Sequence, residues 1–325
     1  MSKYLDGDAL ILPCSTQNQV STNAPSLSEL SHQDKPWDKH RHSADRVANH
    51  YREDREFKRY AKRMDFCSQL LEFKLVPHDR DSSLRFKLAG ARFCRVRHCP
   101  VCQWRRSLKW KARALEALPR VVKDYPQHRW LFLTLTLKNC PVMELRSTIT
   151  QMNKSFIRMT KLKEWCISGW IKSLEVTHGK DGQAHPHFHC LLITSKSYFG
   201  RNYISQQGWV NLWQKAARLD YQPQVHIKAV HEKQNPCTLI PEILKYSLKE
   251  SDLYRSKEFL FEVTRQLHKT RCVSVGGILR EYMKKVGEEP EDLIGTDETE
   301  TAEEMLRLYF GWKYTDKKYK LVNYY

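Results

Sequence analysis

Residues 184–193 read "AHPHFHCLLI", three histidines at alternate positions running straight into an apolar stretch. Side chains alternate along a β-strand, so His185, His187 and His189 share one face, successive ones roughly 6.5 Å apart. A buried polar ring needs a partner, and a metal ion is one candidate. The preceding "GWIKSLEVTH" (169–178) also reads as a strand and is joined to the first through "GKDGQA". A hairpin brings Glu175 onto the histidine face if opposed positions sum to an even number, such as 175 with 187. The turn is then centred near Asp181, and Gly179 and Gly182 make such an odd-length loop feasible. Two imidazoles and one carboxylate with open positions suit Mn²⁺ or Mg²⁺ acting as a Lewis acid on phosphate.

Outward from the hairpin, "WLFLTLTL" (130–137) is a strand with two buried faces, its leucines at odd positions and Phe132, Thr134 and Thr136 at even ones. Leu145, Ile149, Met152 and Phe156 have helical spacing and predict a helix over 143–161. A second helix is expected over 205–218 and a strand at "VHIKAV" (225–230). "PEILKYSLKES" (241–251) predicts a helix with Pro241 in its first turn. The alternation implies an α+β fold, an antiparallel sheet backed by helices.

Upstream, a basic helix is expected from Ala44 to Met64, then strands "LLEFKLV" and "LRFKLAG" around the turn-rich "PHDRDSS". Next comes "CRVRHCPVC" (94–102), with C-x4-C-x2-C spacing. A C-x2-C turn presents two thiolates to one ion, and zinc wants four tetrahedral N or S ligands. Cys94, Cys99 and Cys102 are three; Cys67, upstream in the same folding unit, is preferred as the fourth, with His98 competing. The helix after this knuckle carries Arg105, Arg106, Lys109, Lys111 and Arg113, with Trp104 and Trp110 interleaved. Such a strip can sit on phosphates.

Composition narrows the partners. The 325 residues carry a net charge of +18, which points to a polyanion. No apolar run approaches the roughly 20 residues of a spanning helix, and "MSKYLDGDALILPC" has acids where a signal peptide needs bases. A cytoplasmic, nucleic-acid-binding protein is expected, with no membrane partner. Ten cysteines in such a chain argue against a disulfide framework. Residues 15–35 are polar and expected to be disordered. Residues 286–306 hold nine acids and no Lys or Arg, the pattern of a solvated linker.

On the helix expected at 241–251, Glu242, Tyr246 and Lys249 fall on one face by i, i+4 and i+7 spacing. A free tyrosine has a pKa of about 10. A metal that polarises a phosphate, with lysines nearby, could make it a nucleophile.

The knuckle, the "FLTLTL" strand, "EVT" with "HPHFHCLL", and "EILKYSLK", in that order over about residues 36–250, resemble the HUH endonucleases, named for His-hydrophobic-His. Within that superfamily the chain is similar to rolling-circle plasmid replication initiators with one catalytic tyrosine. The resemblance implies that His187, His189 and Glu175 hold the catalytic ion. It implies that Tyr246 attacks one phosphodiester of the plasmid origin, single-stranded at the nick, leaving a 5′-phosphotyrosine and a free 3′-OH primer. Glu242 matches the glutamate that activates water for the closing cleavage. Lys245 and Lys249 match lysines around the nucleophile. No G-x-x-x-x-G-K-[ST] is present, so a host helicase and DNA polymerase are implied as partners.

The expected organisation is a disordered segment (1–35), a helical and zinc-knuckle module (36–122), an HUH endonuclease domain (123–285), and an acidic linker with a basic-aromatic tail (286–325). Two other readings share parts of the pattern. Relaxases and single-tyrosine transposases use the same chemistry, but relaxases usually place the tyrosine ahead of the histidines and such transposases generally lack the knuckle. A zinc-containing DNA-binding regulator would use the histidine strand structurally.

Overall fold

A computed structural model describes residues 24–78, 81–179, 181–231, 235–245, 247–285 and 306–322. Helices α1 (Leu27–Leu30), α2 (Lys35–Glu53) and α3 (Lys58–Asp65) lead into strands β1 (Leu70–His78) and β2 (Asp81–Ala91) and the long helix α4 (Pro100–Asp124). Then come β3 (Arg129–Thr136), α5 (Leu145–Met159), the hairpin of β4 (Ile167–His178) and β5 (Ala184–Thr194), α6 (Gln206–Ala217) and β6 (Val225–Ala229). Three short helices follow, α7 (Ile240–Ile243), α8 (Glu250–Arg255) and α9 (Lys257–Gln266). Strand β7 (Val273–Gly277), helix α10 (Leu279–Lys285) and the hairpin β8 (Arg307–Lys313)–β9 (Lys318–Val322) complete the described chain.

The strands form two antiparallel sheets, of order β6-β3-β5-β4-β7 and β2-β1-β8-β9. The fold is α+β, as the alternation of elements implies. In the five-stranded sheet, Leu131, Leu133, Leu135, Leu174, Phe188 and Leu192 share one core with Ile149, Met152 and Phe156 of α5 and with Trp209 and Trp213 of α6. Phe156 is essentially buried, and truncating such a ring costs on the order of 3–5 kcal/mol. A second core joins Trp130, Ile171, Leu191 and Ile193 to Ala114, Leu118 and Val121 of α4 and to Leu279 and Met283 of α10. In sequence these residues alternate with those of the first core, so they lie on the opposite face. That face is the one bearing His187 and His189.

The N-terminal elements depart from expectation at two places. The basic helix is not one rod from Ala44 to Met64: it begins at Lys35 and breaks between α2 and α3. Asp54 adopts an extended conformation and its carboxylate accepts from Glu56 N at 2.7 Å, the local bond that makes Asp a helix terminator. Phe57, at the break, is buried among Tyr51, Tyr60 and Phe261. The expected disorder over 15–35 does not extend to residues 24–35. Leu27 is fully buried, Ser26 bridges to Lys320, and Ser26 N donates to Glu29 Oε2 at 2.9 Å, half of a capping box. Residues 1–23 lie outside the described residues.

The C-terminal stretch expected to form a tail supplies two strands. β8 lies beside β1 with Leu71 opposite Phe310, and Phe73, Phe86 and Phe310 make edge-on ring contacts across the sheet. Tyr319 is fully buried and its hydroxyl donates to Ser68 O at 2.7 Å. The acidic stretch lies outside the described residues except for Leu306. No helix among the described residues is long and apolar enough to cross a membrane.

Candidate active site

The β4–β5 hairpin has the register that the sequence requires: Glu175 faces His187, and Ser173 faces His189. A five-residue loop makes this possible, with Gly182 at φ +77°, a left-handed conformation that favours glycine. Gly179 N donates to Gln183 O at 2.8 Å and closes the loop. The odd loop length keeps Glu175 and both histidines on one face.

There Glu175 Oε2 lies 3.1 Å from His187 Nε2 and 2.9 Å from His189 Nε2. The other ring nitrogens are held from behind. His187 Nδ1 donates to His185 O at 3.3 Å, and His189 Nδ1 lies 3.3 Å from Thr134 Oγ1 on β3. Phe132 stacks on the His189 ring at 5.7 Å. Such bonds fix ring orientation and leave each Nε2 directed at the common point. Protonated, the two Nε2 atoms donate to the carboxylate oxygen; deprotonated, they would join it in offering electron pairs to one cation. Burial alone would raise the Glu175 carboxyl, but hydrogen bonds from His187 and His189, with Lys245 nearby, outweigh it and hold the group well below the usual carboxylate range. The ligand atoms lie within 4.8 Å of one another, so this group could hold a metal ion. His185 is not part of it.

Lys245 Nζ is 3.3 Å from Glu175 Oε2 and 2.6 Å from Glu242 Oε1. Burial would lower the Lys245 ammonium pKa, but the two carboxylates outweigh it and raise it above the ordinary value. The single helix expected over 241–251 is corrected here. α7 is one turn, Ile240–Ile243, and α8 starts only at Glu250. The α7 carbonyls are capped from other elements: Ser173 Oγ donates to Ile243 O, and Ser107 Oγ donates to Leu244 O at 2.6 Å. Those acceptors are thereby taken from the amides that would continue the helix. The chain then runs alongside β4, with Val176 N donating to Ser247 O at 2.8 Å and Leu248 bridging Val176. So Glu242 and Lys249 do not share a helix face. Glu242 is exposed and paired with Lys245; Lys249 is exposed at the N-cap of α8 and has no bond to the triad among the described residues. Tyr246 lies outside the described residues, but its neighbours on both sides contact β4 or the triad.

The four cysteines also come together. Sγ···Sγ distances are 3.6 Å for Cys67–Cys102, 3.6 Å for Cys94–Cys102 and 3.7 Å for Cys67–Cys99. A tetrahedron with zinc–sulfur bonds of about 2.3 Å has edges of about 3.8 Å, so the sulfurs sit at the spacing such an ion requires. Ser68 and Arg95, each just after a cysteine, have left-handed φ of 50° and 54°, which turn the chain around the cluster. Cys94 N donates to Cys67 Sγ, and Val96 N to Cys94 Sγ, both at 3.4 Å. Hydrogen bonds from Cys67, Cys94 and Cys99 pull the Cys102 thiol down strongly. All four are free thiols with no disulfide, and the group could hold a metal ion. His98 is fully buried outside it, and burial drives its ring to the neutral form.

The basic strip of α4 divides. Arg105 lies over Trp37 and Trp104, and Trp104 packs edge-on against Trp37 at 4.8 Å, so these anchor α4 to α2. Arg106, Trp110 and Arg113 line an open cleft instead. Sequence reasoning missed the supporting Thr134 and the cleft residues Arg97, Arg271 and Arg280. The period-two position of Thr134 beside the histidine strand was the only signal for the first; nothing in the local sequence marks the other three.

These features define an α+β protein that, among its described residues, brings together a His–His–Glu group and a four-cysteine group, and comparison with known proteins gives the family. The model of the replication protein family matches residues 85–320, spanning the knuckle, His187 and His189, the 240–250 segment and most of the β8–β9 hairpin. The chain is 34% identical over 275 residues to a Protein rep of Streptococcus pneumoniae serotype 2, covering 81% of this chain and 84% of that one. It is 33% identical over 251 residues to a Protein rep of Bacillus amyloliquefaciens, covering 70% and 73%. It is 32% identical over 231 residues to a Replication protein of Staphylococcus aureus, covering 65% and 98%. No solved structure matches significantly. The chain belongs to the replication protein family.

Proposed function

We propose that the protein initiates rolling-circle replication of a plasmid by nicking one strand of the origin, with Tyr246 as nucleophile. The observation that carries this reading is the Lys245–Glu175 ion pair, which brings the residue before Tyr246 to the His–His–Glu group. The Tyr246 oxygen bonds to phosphorus and releases its proton. The bond from phosphorus to the 3′ oxygen breaks, and that oxygen takes a proton and leaves as a 3′-hydroxyl. The 5′ phosphate stays on the tyrosine. Glu175, His187 and His189 would hold Mn²⁺ or Mg²⁺, which when bound supplies Lewis-acid polarisation of the scissile phosphate. Lys245 adds fixed positive charge beside the same phosphate. Cys67, Cys94, Cys99 and Cys102 would hold a structural zinc.

Closing the cycle needs hydrolysis. Glu242, exposed and one residue group away from the triad through Lys245, is suited to take a proton from water as its oxygen attacks phosphorus. A host helicase unwinds the duplex and a host polymerase extends the 3′-hydroxyl. Single-stranded oligonucleotides tiled across the cognate origin test the reading. With Mn²⁺, one of them should yield a denaturation-resistant adduct on the 5′ side of the cut. Failure of every tile in Mn²⁺ and in Mg²⁺ would overturn it.

A further inference from the structure

The cleft beside Lys245 has a composition that the nicking chemistry does not use. It is about 780 Å³, walled by α4 on one side and by β7 and α10 on the other. Of its eighteen described lining residues, seven are Lys or Arg and none is Asp or Glu. A second cleft of about 500 Å³ runs from the knuckle past Tyr51 and Tyr60, with seven Lys or Arg and no acid among its described lining residues. The two share Arg97, Arg106, Trp110 and Arg113 and so adjoin across these four side chains, together lining one basic groove. Arg97, Arg106 and Arg113 donate to main-chain carbonyls of Thr270, Arg97 and Met283 and, among the described residues, not to carboxylates. Lys245 and Lys284 pair with glutamates, but the first cleft's five arginines have no carboxylate partner among the described residues, and like charges in a concave, low-dielectric wall focus a positive potential outward. That arrangement is stable with a polyanion in the groove.

We propose that a single strand of DNA lies in this groove, its phosphates against Arg97, Arg106, Arg271 and Arg280, with a base stacked on Trp110. The proposal rests on the nicking reading only for why the strand ends at Lys245. Three features favour one strand over a duplex. The shared arginines and Trp110 are half-buried inside the concavity, where the backbone crests of a duplex do not reach. An aromatic ring offers stacking to any unpaired base, and the Arg113 guanidinium lies 5.0 Å over the Trp110 ring, extending that platform. β7, on one wall of the groove, is an edge strand paired among the described residues only with β4, so its outer main-chain groups are available to bases. The four-cysteine knuckle sets the wall, because Arg97 sits within it and its carbonyl accepts from Arg106 Nη2 at 2.6 Å.

Binding of a labelled oligothymidylate of about 16 nucleotides, followed by anisotropy over a range of salt, tests this without any cleavage. The variant is Arg271→Ala/Arg280→Ala, two exposed positions whose loss leaves the fold intact. Affinity should fall roughly tenfold, and the slope of log K against log salt should shrink by about 1.4, near 0.7 for each lost contact. Lys154→Ala, exposed on α5 across the sheet, should change neither. Photocrosslinking with 5-iodouracil in the same oligonucleotide should map to Trp110. Wild-type affinity and slope in the double variant, equal losses in Lys154→Ala, or tighter binding of a duplex than of the single strand would each overturn the proposal. Nicking is read separately on origin oligonucleotides, so loss of groove binding and loss of the tyrosine chemistry are distinguishable.

Discussion

Lys245 Nζ bridges two carboxylates, standing 3.3 Å from Glu175 Oε2 and 2.6 Å from Glu242 Oε1. One ammonium thus ties the His–His–Glu group, built on a rigid hairpin, to the one-turn helix just ahead of Tyr246. Lys245→Ala should leave the triad in place, since β4 and β5 are held by their own ladder, and should slow adduct formation roughly tenfold or more. Adduct yield against time checks this. An unchanged rate would separate the lysine from the chemistry.

The support behind the triad is separately testable. Thr134→Val removes the hydroxyl beside His189 Nδ1 while nearly conserving volume. Mn²⁺ affinity, read by titration calorimetry, should fall roughly tenfold, the lower end for loss of an outer partner. His187→Ala and His189→Ala should abolish measurable Mn²⁺ binding at that site while leaving far-ultraviolet circular dichroism unchanged. Undiminished affinity in either histidine variant would contradict the assignment.

The cysteine cluster predicts about one zinc per chain, retained after the catalytic ion is chelated away, because closed thiolate sites bind far more tightly than open His/Glu sites. Elemental analysis reads this directly. Cys102→Ser should lower zinc content and thermal stability together. Zinc-free protein of normal stability would refute the site.

Much of this was legible because the relevant patterns are local. The Glu175–His187 register follows from period two and the loop glycines, and α5 follows from the apolar spacing of Leu145, Ile149, Met152 and Phe156. The helix expected around Tyr246 failed for a non-local reason: hydroxyls of Ser107 and Ser173, distant in sequence, satisfy the carbonyls at its end. β8 and β9 read as a basic-aromatic tail because their partner, β1, lies near the other end of the chain. Of the groove only the α4 side, the strip holding Arg106, Trp110 and Arg113, was legible; β7 and α10, distant in sequence, supply the other wall.

A buried lysine gives the stability profile a sign. Lys172 lies over the Phe188 ring at 3.6 Å and donates to Asn153 Oδ1 at 2.6 Å, and burial drives its pKa from 10.5 down to about 8. Between those values the unfolded chain binds more protons than the folded one, so this group adds stability as pH rises through the window. Below about 8 its penalty is full. Lys172→Met should therefore stabilise the protein at neutral pH by about 1–3 kcal/mol, with the advantage shrinking above pH 8. Urea unfolding of both proteins at neutral and alkaline pH checks it; a pH-independent difference would contradict it.

Glu242 and Tyr246 should separate in time. Glu242→Ala retains the nucleophile, so the first adduct should still form, while hydrolytic closure should fail and run-on multimers accumulate in a replication extract. If Glu242 only holds Lys245, initiation and termination should fall together. An unaltered ratio of the two products would remove Glu242 from termination.

The central claim is that the phenolic oxygen of Tyr246 makes the bond to DNA. Tyr246→Phe keeps the ring and deletes that oxygen, so the direct measurement is the denaturation-resistant adduct on an origin oligonucleotide with Mn²⁺, wild type beside variant. The expected result is a wild-type adduct whose tryptic nucleotide-peptide contains Tyr246, and none in Tyr246→Phe although the variant binds oligonucleotide and Mn²⁺ normally. An adduct of wild-type yield in the variant would contradict the mechanism.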